Sequence, residues 1–230
     1  MSKPVVIGNA ELWHGDYLDV LPKLQHVDAL ITDPPYGMGY NPASNAKRRD
    51  KLCRRDKDFS PIIGDDKPFN PLPLLGYPKV ILWGGNWYAD KLPPSSKWLI
   101  WDKRENTGSD NGADCEMAWT NLPGTVRMFS HLWRGICRRG EENVTTGGAR
   151  LHPFQKPVAL MAWCLEQAGI KPGQTVLDTH MGSASLGIAC LRLGIHYIGI
   201  DIDQVHFNTA VSRIKVETAQ KNLFEGAEVC

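Results

Sequence analysis

The stretch Val27-Asp28-Ala29-Leu30-Ile31-Thr32-Asp33-Pro34-Pro35-Tyr36-Gly37 runs from apolar residues into an acid, two prolines and an aromatic ring. The prolines fix two φ angles and remove two N–H donors, which leaves local carbonyls as acceptors beside the Asp33 carboxylate. That arrangement suits a substrate carrying an NH2 group. An aromatic amine is a poor nucleophile because its lone pair is delocalised into the ring. A site that draws both N–H bonds toward acceptors, here Asp33 and the Pro34 carbonyl, frees that lone pair. Tyr36 offers a face on which a flat, extruded base stacks. The same residues also suit a Pro-Pro turn after a strand, with Asp33 as a local cap and Tyr36 in the core; four residues alone weigh the two readings about evenly.

A second constellation lies nearer the C-terminus. In Thr175-Val176-Leu177-Asp178-Thr179-His180-Met181-Gly182-Ser183-Ala184-Ser185, an apolar run ends in small residues. Gly182, Ser183, Ala184 and Ser185 let a strand-to-helix turn approach a ligand closely, and N–H groups at the helix start face a carboxylate. Farther on, Tyr197-Ile198-Gly199-Ile200 ends at Asp201, placed as acids are placed to accept ribose hydroxyls in dinucleotide folds. Each piece alone occurs in unrelated α/β folds. Their conjunction with the Asp33 motif points to a shared ligand site.

The elements needed to position these residues are visible. Ala29-Leu30-Ile31, Val80-Ile81-Leu82-Trp83, Trp98-Leu99-Ile100-Trp101, Thr175-Val176-Leu177 and Tyr197 to Ile200 read as buried strands. Val158, Met161, Leu165 and Ala168 recur at helical spacing and stop at Gly169, and Phe207, Ala210, Val211 and Ile214 mark a helix after Asp203. Alternation of this kind predicts an α/β, doubly wound, mostly parallel sheet. Residues 37 to about 75 and 102 to 151 interrupt it with long segments of the functional kind.

The Asp33-Pro34-Pro35-Tyr36 motif resembles the catalytic motif of the amino-group (N6-adenine or N4-cytosine) DNA methyltransferases. The likeness extends to His152-Pro153-Phe154-Gln155-Lys156-Pro157 before a helix, to the Asp178–Ser185 loop, and to Leu12-Trp13-His14-Gly15-Asp16. It implies a Rossmann-like S-adenosylmethionine-dependent fold with a small target-recognition insertion. The motif order is that of the family's β class, and the small size is similar to that of phage members. Asp33, Pro34, Pro35 and Tyr36 take the catalytic positions. Asp16, Asp33, Phe154, Lys156, Asp178, His180, Gly182, Ser183, Ala184, Ser185 and Asp201 take those around S-adenosyl-L-methionine. Asp16 matches the acid that accepts from the cofactor's adenine amine, and Lys156 offers a charge for the methionine carboxylate. The chain departs from the pattern where Thr179-His180 replaces Pro-Phe and Ala184 replaces a glycine, which implies weakened binding or a reshaped pocket. On this reading residues 1–101 form the catalytic half, 102–151 the recognition insertion and 152–230 the cofactor half.

Double-stranded DNA is the expected partner. The chain of 230 residues has a net charge of only +1, so attraction to phosphate must be local. Between Lys47 and Lys57, seven basic residues (Lys47, Arg48, Arg49, Lys51, Arg54, Arg55 and Lys57) face two acids, Asp50 and Asp56. This run suits closure over phosphates and equally suits a solvated face. Arg134, Arg138 and Arg139 form a second cluster, for base edges and phosphates or for a surface or homodimer interface. Six dispersed cysteines without CxxC spacing predict neither a zinc site nor a disulfide framework, so no metal is expected. The absence of a signal-like start and of about 18 consecutive apolar residues predicts a cytoplasmic protein without a membrane span.

Adenine is the expected base, because cytosine-specific relatives more often begin the motif with Ser; cytosine N4 is the close alternative. Methylation of cytosine carbon needs a cysteine nucleophile, typically after proline, and the chain has no Pro-Cys pair. Relatives acting on protein glutamine usually begin the motif with Asn. A catalytically weak DNA-binding protein of the same fold is the remaining alternative.

Overall fold

A computed structural model describes residues 3–40, 61–105, 107–108, 113–134, 137–140 and 154–227, with residues 134, 137 and 221–227 in backbone only. In chain order its main elements are β1 (Val5–Ile7), β2 (Ala10–His14), α1 (Tyr17–Val20), β3 (Ala29–Thr32), β4 (Val80–Trp83), β5 (Trp98–Asp102), β6 (Cys115–Thr120), β7 (Arg127–Ser130), β8 (Trp133–Arg134), β9 (Cys137–Arg138), α2 (Val158–Gln167), β10 (Thr175–Asp178), α3 (Ser185–Arg192), β11 (His196–Asp201) and α4 (Gln204–Ala227). They form two compact units. The first comprises Met1–Asp33, Pro73–Ile81 and Lys156–Cys230, and the second Pro34–Leu72 and Leu82–Gln155. The boundary falls between Asp33 and Pro34 and within β4.

The first unit orders its strands β1-β2-β11-β10-β3 and then the start of β4. The pairs β2·β11, β11·β10 and β10·β3 are parallel, while β1 closes the edge as an antiparallel partner of β2. Every residue of β3 is buried, as expected of a parallel strand covered on both faces. From β10 the chain crosses through α3 to β11 on one side, while β3 and β4 lie on the other. The order therefore reverses between β10 and β3, the place where open α/β sheets hold ligands beyond their strand ends.

Helix α2 buries Leu160, Met161, Cys164 and Leu165 and ends where Gly169 takes φ +60°. The Ile170 N–H returns to the Leu165 carbonyl at 3.0 Å, a left-handed helix stop that glycine makes inexpensive. In α3 a Cβ on Gly187 would stand 2.7 Å from the Tyr197 ring, so this position lets the helix lie directly on β11. Asp203 caps α4 by accepting from Val205 and His206.

In the second unit β5 lies between β6, antiparallel, and β7, parallel. The register Trp98↔Trp119 through Asp102↔Cys115 makes residues 115–120 part of the sheet. The possible strands of the segment 102–151 include Cys115–Thr120, whose alternation is masked by burial of Ala118, Trp119 and Thr120 in succession. The five expected strands and both helices are present, each strand end moved by at most one residue, while α4 continues beyond Ile214 to Ala227; β1 and β2, short and partly exposed, carry too little apolar signal to stand out.

Candidate active site

The end of β3 and the end of β10 are joined by side chains. Thr32 donates to Asp178 Oδ1 at 2.8 Å, and the His180 N–H reaches both Thr32 Oγ1 and Asp178 Oδ1 at 3.2 Å. Tyr197 donates to Asp178 Oδ2 at 3.3 Å. Burial pushes the Asp178 carboxyl up to about 7, helped by the neighbouring Asp33 charge and opposed by these three donors. Burial likewise pushes the His180 imidazole down to about 3, so it is neutral at physiological pH. The departure Thr179-His180 is accommodated chemically: Thr179 donates to Thr32 at 3.2 Å, and the His180 ring rests against Tyr17 with centroids 5.0 Å apart.

The loop that follows is bent by two left-handed residues, Gly182 at φ +50° and Ala184 at φ +57°. For an alanine this conformation costs about 1–2 kcal/mol, which full burial of the Ala184 methyl partly offsets. Asp201, at the end of β11, accepts the Gly182 N–H and the Asp203 N–H, each at 2.8 Å. Burial raises its carboxyl despite both bonds and the nearby His206. Arg213 from α4 donates to the Ser183 carbonyl at 2.5 Å and holds the turn from outside. One strand over, Asp16 caps α1 by accepting from Leu18 at 2.9 Å. Since Asp201 pairs with His14 in register, Asp16, Asp201 and Gly182 all belong to neighbouring strand ends of the first unit.

Lys156 is buried, and its ammonium lies 2.5 Å from Asp33 Oδ2. The sequence reading gives this lysine to a ligand carboxylate; here it meets the acid that opens the Asp33–Tyr36 motif. A buried ammonium beside a carboxylate favours the charged, acceptor-only form of that acid.

In the second unit the Tyr36 ring occupies the space over Gly84. A Cβ on Gly84 would stand 2.0 Å from Tyr36 Cε1, and Gly84 holds φ +73°. The turn closes with the Trp87 N–H on the Gly84 carbonyl at 2.9 Å. Trp87, 55% exposed, presents its ring 12° from parallel to Tyr36 with centroids 6.4 Å apart. Tyr88 beside it is buried and donates to the Trp83 carbonyl at 2.6 Å, which fixes the turn. Pro34 is buried and Pro35 half-buried. Phe154, expected at the cofactor, packs edge-on against Tyr40 at 4.9 Å within this unit. Sequence reasoning missed Gly84 and Trp87, although Gly84-Gly85 directly after an apolar run is a visible turn signal. It also missed Asp65, which lies in no pattern.

Of the expected DNA contacts, Lys47, Arg48, Arg49, Lys51, Arg54 and Arg55 lie outside the described residues, as do His152 and Pro153. Arg134 lies on β8, opposite Cys137 of β9. Arg138 stacks its guanidinium 4.8 Å over the Trp133 ring, and Arg139 pairs with Glu105 at 2.6 Å. Both arginines thus have intramolecular partners. Among the described residues no group of three or more His, Cys, Asp or Glu stands ready to hold a metal ion, and no helix is long and apolar enough to cross a membrane.

The mostly parallel sheet, with its order reversing between β10 and β3, is an architecture that solved structures share. The M1.HpyAVI–SAM complex superposes with a TM-score of 0.52 at 19% identity over 89% of this chain and 98% of that one. The cytosine-N4-specific PvuII DNA methyltransferase gives 0.55 at 12% identity over 95% of each chain. TTHA0409 of Thermus thermophilus, a DNA modification methylase assigned by inference and complexed with S-adenosyl-L-methionine, gives 0.52 at 16% identity over 90% of this chain and 95% of that one. The shared architecture is the Rossmann-like methyltransferase fold.

The chain belongs to the N6/N4 DNA methylase family, whose pattern, described as DNA methylase, matches residues 91–212. The Asp33–Tyr36 motif precedes the matched region. Among curated proteins, the type II methyltransferase M2.DpnII of Streptococcus pneumoniae is 36% identical over 91 residues, 40% of this chain and 32% of that protein. M2.LlaDCHI of Lactococcus lactis subsp. cremoris is 25% identical over 120 residues, 52% of this chain and 42% of its own length. The chain thus spans about a third to two fifths of the length of these relatives.

Proposed function

We propose that this chain transfers the methyl group of S-adenosylmethionine to the exocyclic N6 amine of an adenine turned out of double-stranded DNA. The observation that carries the reading is the Asp33 carboxylate, set at the end of a buried parallel strand, beside the strand-order reversal, and paired with a buried lysine. Adenine is preferred over cytosine because the motif opens on Asp33 and not on Ser.

The first unit fits the methyl donor. Its turn at Gly182 and Ala184 leaves left-handed backbone with minimal side chains, and the N–H groups opening α3 suit a carboxylate. Asp201 would accept the ribose hydroxyls with lone pairs its two backbone donors leave open, and Asp16 the adenine amine; a carboxylate has about four acceptor sites. Asp178, His180, Ser183 and Ser185 complete the assigned surroundings within this unit. When bound, S-adenosylmethionine supplies an electrophilic methyl group on a positively charged sulfur.

The protein's part is acceptance and positioning. Asp33 and the Pro34 carbonyl accept the two N–H bonds of the target amine, which localises its lone pair on nitrogen. Tyr36 stacks on the base and holds it in line. Below about pH 7 the Asp178 carboxyl is mostly neutral, so negative charge at these strand ends is concentrated on Asp33. On gaining the methyl, the nitrogen sheds one proton, for which Asp33 is the assigned acceptor. Incubation with methyl-labelled S-adenosylmethionine and unmethylated genomic DNA, followed by nucleoside mass spectrometry, tests the proposal. N6-methyladenine is the expected product; N4-methylcytosine would move the assignment to the other base, and neither product would reject it.

A further inference from the structure

Asp65 is 4% exposed, yet it belongs to no motif. Its carboxylate accepts three of the four backbone N–H groups that follow Tyr36. Oδ1 accepts the Gly37 N–H at 2.8 Å and the Met38 N–H at 3.1 Å, and Oδ2 accepts the Tyr40 N–H at 2.7 Å. The one intervening N–H, from Gly39, bonds to the Asp65 carbonyl at 2.8 Å. Every backbone donor from residue 37 to 40 therefore ends on a single residue. A charged acceptor makes such bonds roughly twice as strong as neutral ones, and a carboxylate is needed to serve three donors from two oxygens.

The two segments are also fitted sterically. Gly37 takes φ +81°, and a Cβ there would stand 2.6 Å from the Lys67 carbonyl oxygen, so the chain after Tyr36 lies directly on residues 67–68. A Cβ added to Gly64, which holds φ +83°, would stand 3.7 Å from the Pro35 ring. Tyr36 is thus bracketed by two prolines before it, a clamped turn after it and Gly84 beneath its ring.

We propose that Asp65 is a positioning residue for the Tyr36 ring: its carboxylate fixes the backbone from Gly37 to Tyr40, and that turn sets the pose in which Tyr36 meets the target base. The role rests on the reading of Tyr36 as the stacking residue. It separates Asp65 from the methyl donor, whose assigned acids and loop lie in the first unit.

Asp65→Asn keeps the size and replaces one acceptor oxygen by an amide donor that opposes a backbone N–H. The wild-type protein is expected to show slowed hydrogen exchange at Gly37, Met38 and Tyr40, and the variant at least tenfold faster exchange there. Its dissociation constant for S-adenosylmethionine should stay within twofold. The kcat for methyl transfer to DNA should fall roughly 10- to 100-fold, as displacement of a positioning group by about 1 Å does, and Asp65→Glu, which keeps the charge, should recover part of it. Unprotected amides in the wild-type protein would overturn the clamp even if the variant failed to fold. Exposed amides with unchanged kcat would overturn the positioning role. Protected amides in a wild-type protein that methylates no base would instead reject the methyltransferase reading while leaving the clamp in place.

Discussion

At the scale of single residues, Asp178 and His180 form a pair with opposite pH dependence. The Asp178 carboxyl is raised from 3.8 to about 7, so between these values the folded state holds a proton that the unfolded state has lost, and stability falls as pH rises. His180 is lowered from 6.5 to about 3, so in that window the unfolded state holds the extra proton and stability rises with pH. From about pH 4 to 6.5 the two slopes, each about 1.4 kcal/mol per pH unit, cancel. Asp178→Asn should therefore gain stability relative to wild type as pH rises through this window, and His180→Phe should lose it, measured as Tm against pH. Equal pH profiles for all three proteins would show that neither group is perturbed. Asp201 is tested by calorimetry: Asp201→Ala removes the acceptor of the Gly182 N–H and the acceptor proposed for the ribose. Loss of hydrogen bonds to a charged group, about 1.5–3 kcal/mol each, predicts at least about tenfold weaker S-adenosylmethionine binding. An unchanged dissociation constant would show the ribose lies elsewhere.

At the scale of elements, the turn after β4 decides where Tyr36 sits. Gly84→Ala places a methyl inside the Tyr36 ring position and demands a left-handed alanine, at about 1–2 kcal/mol for the backbone alone. We expect a folded protein with a Tm lowered by a few degrees, donor affinity within twofold and methyl transfer reduced at least tenfold; full activity would show that the Tyr36 pose is unimportant. The same turn shows what is legible in a sequence. Asp33 can be read at a strand end because an apolar run leads straight into it and Pro-Pro follows, and Gly182 because small residues after an apolar run announce a close turn. Asp65 cannot be read, because its role depends on a fold that returns residues 62–68 to the motif 25 residues earlier along the Tyr40–Asp65 bond. Lys156 is legible as a charge near the site, but its contact with Asp33, 123 residues away in sequence, is a matter of geometry. The strand at Cys115–Thr120 is obscured for a different reason: its last three residues are buried together, which erases the alternation of a half-exposed strand.

At the scale of the whole molecule, a net charge of +1 leaves long-range attraction to DNA to local runs. The run from Lys47 to Lys57, with seven basic residues against two acids, is the larger of the two clusters proposed for DNA. Neutralising Arg48, Arg49, Arg54 and Arg55 should reduce the slope of log affinity against log salt by up to about 3.6, at about 0.9 per phosphate contact. An unchanged slope would mark the run as a solvated surface. The molecule as a whole is assigned one reaction, and that reaction is assigned to one acceptor. Its most direct test is single-turnover transfer of the methyl of S-adenosylmethionine to unmethylated DNA by wild type and Asp33→Ala, with donor occupancy matched by direct binding. The account predicts a folded variant that binds the donor and transfers at least about a thousandfold more slowly; transfer at the wild-type rate would contradict the assignment of Asp33 as the acceptor of the target amine.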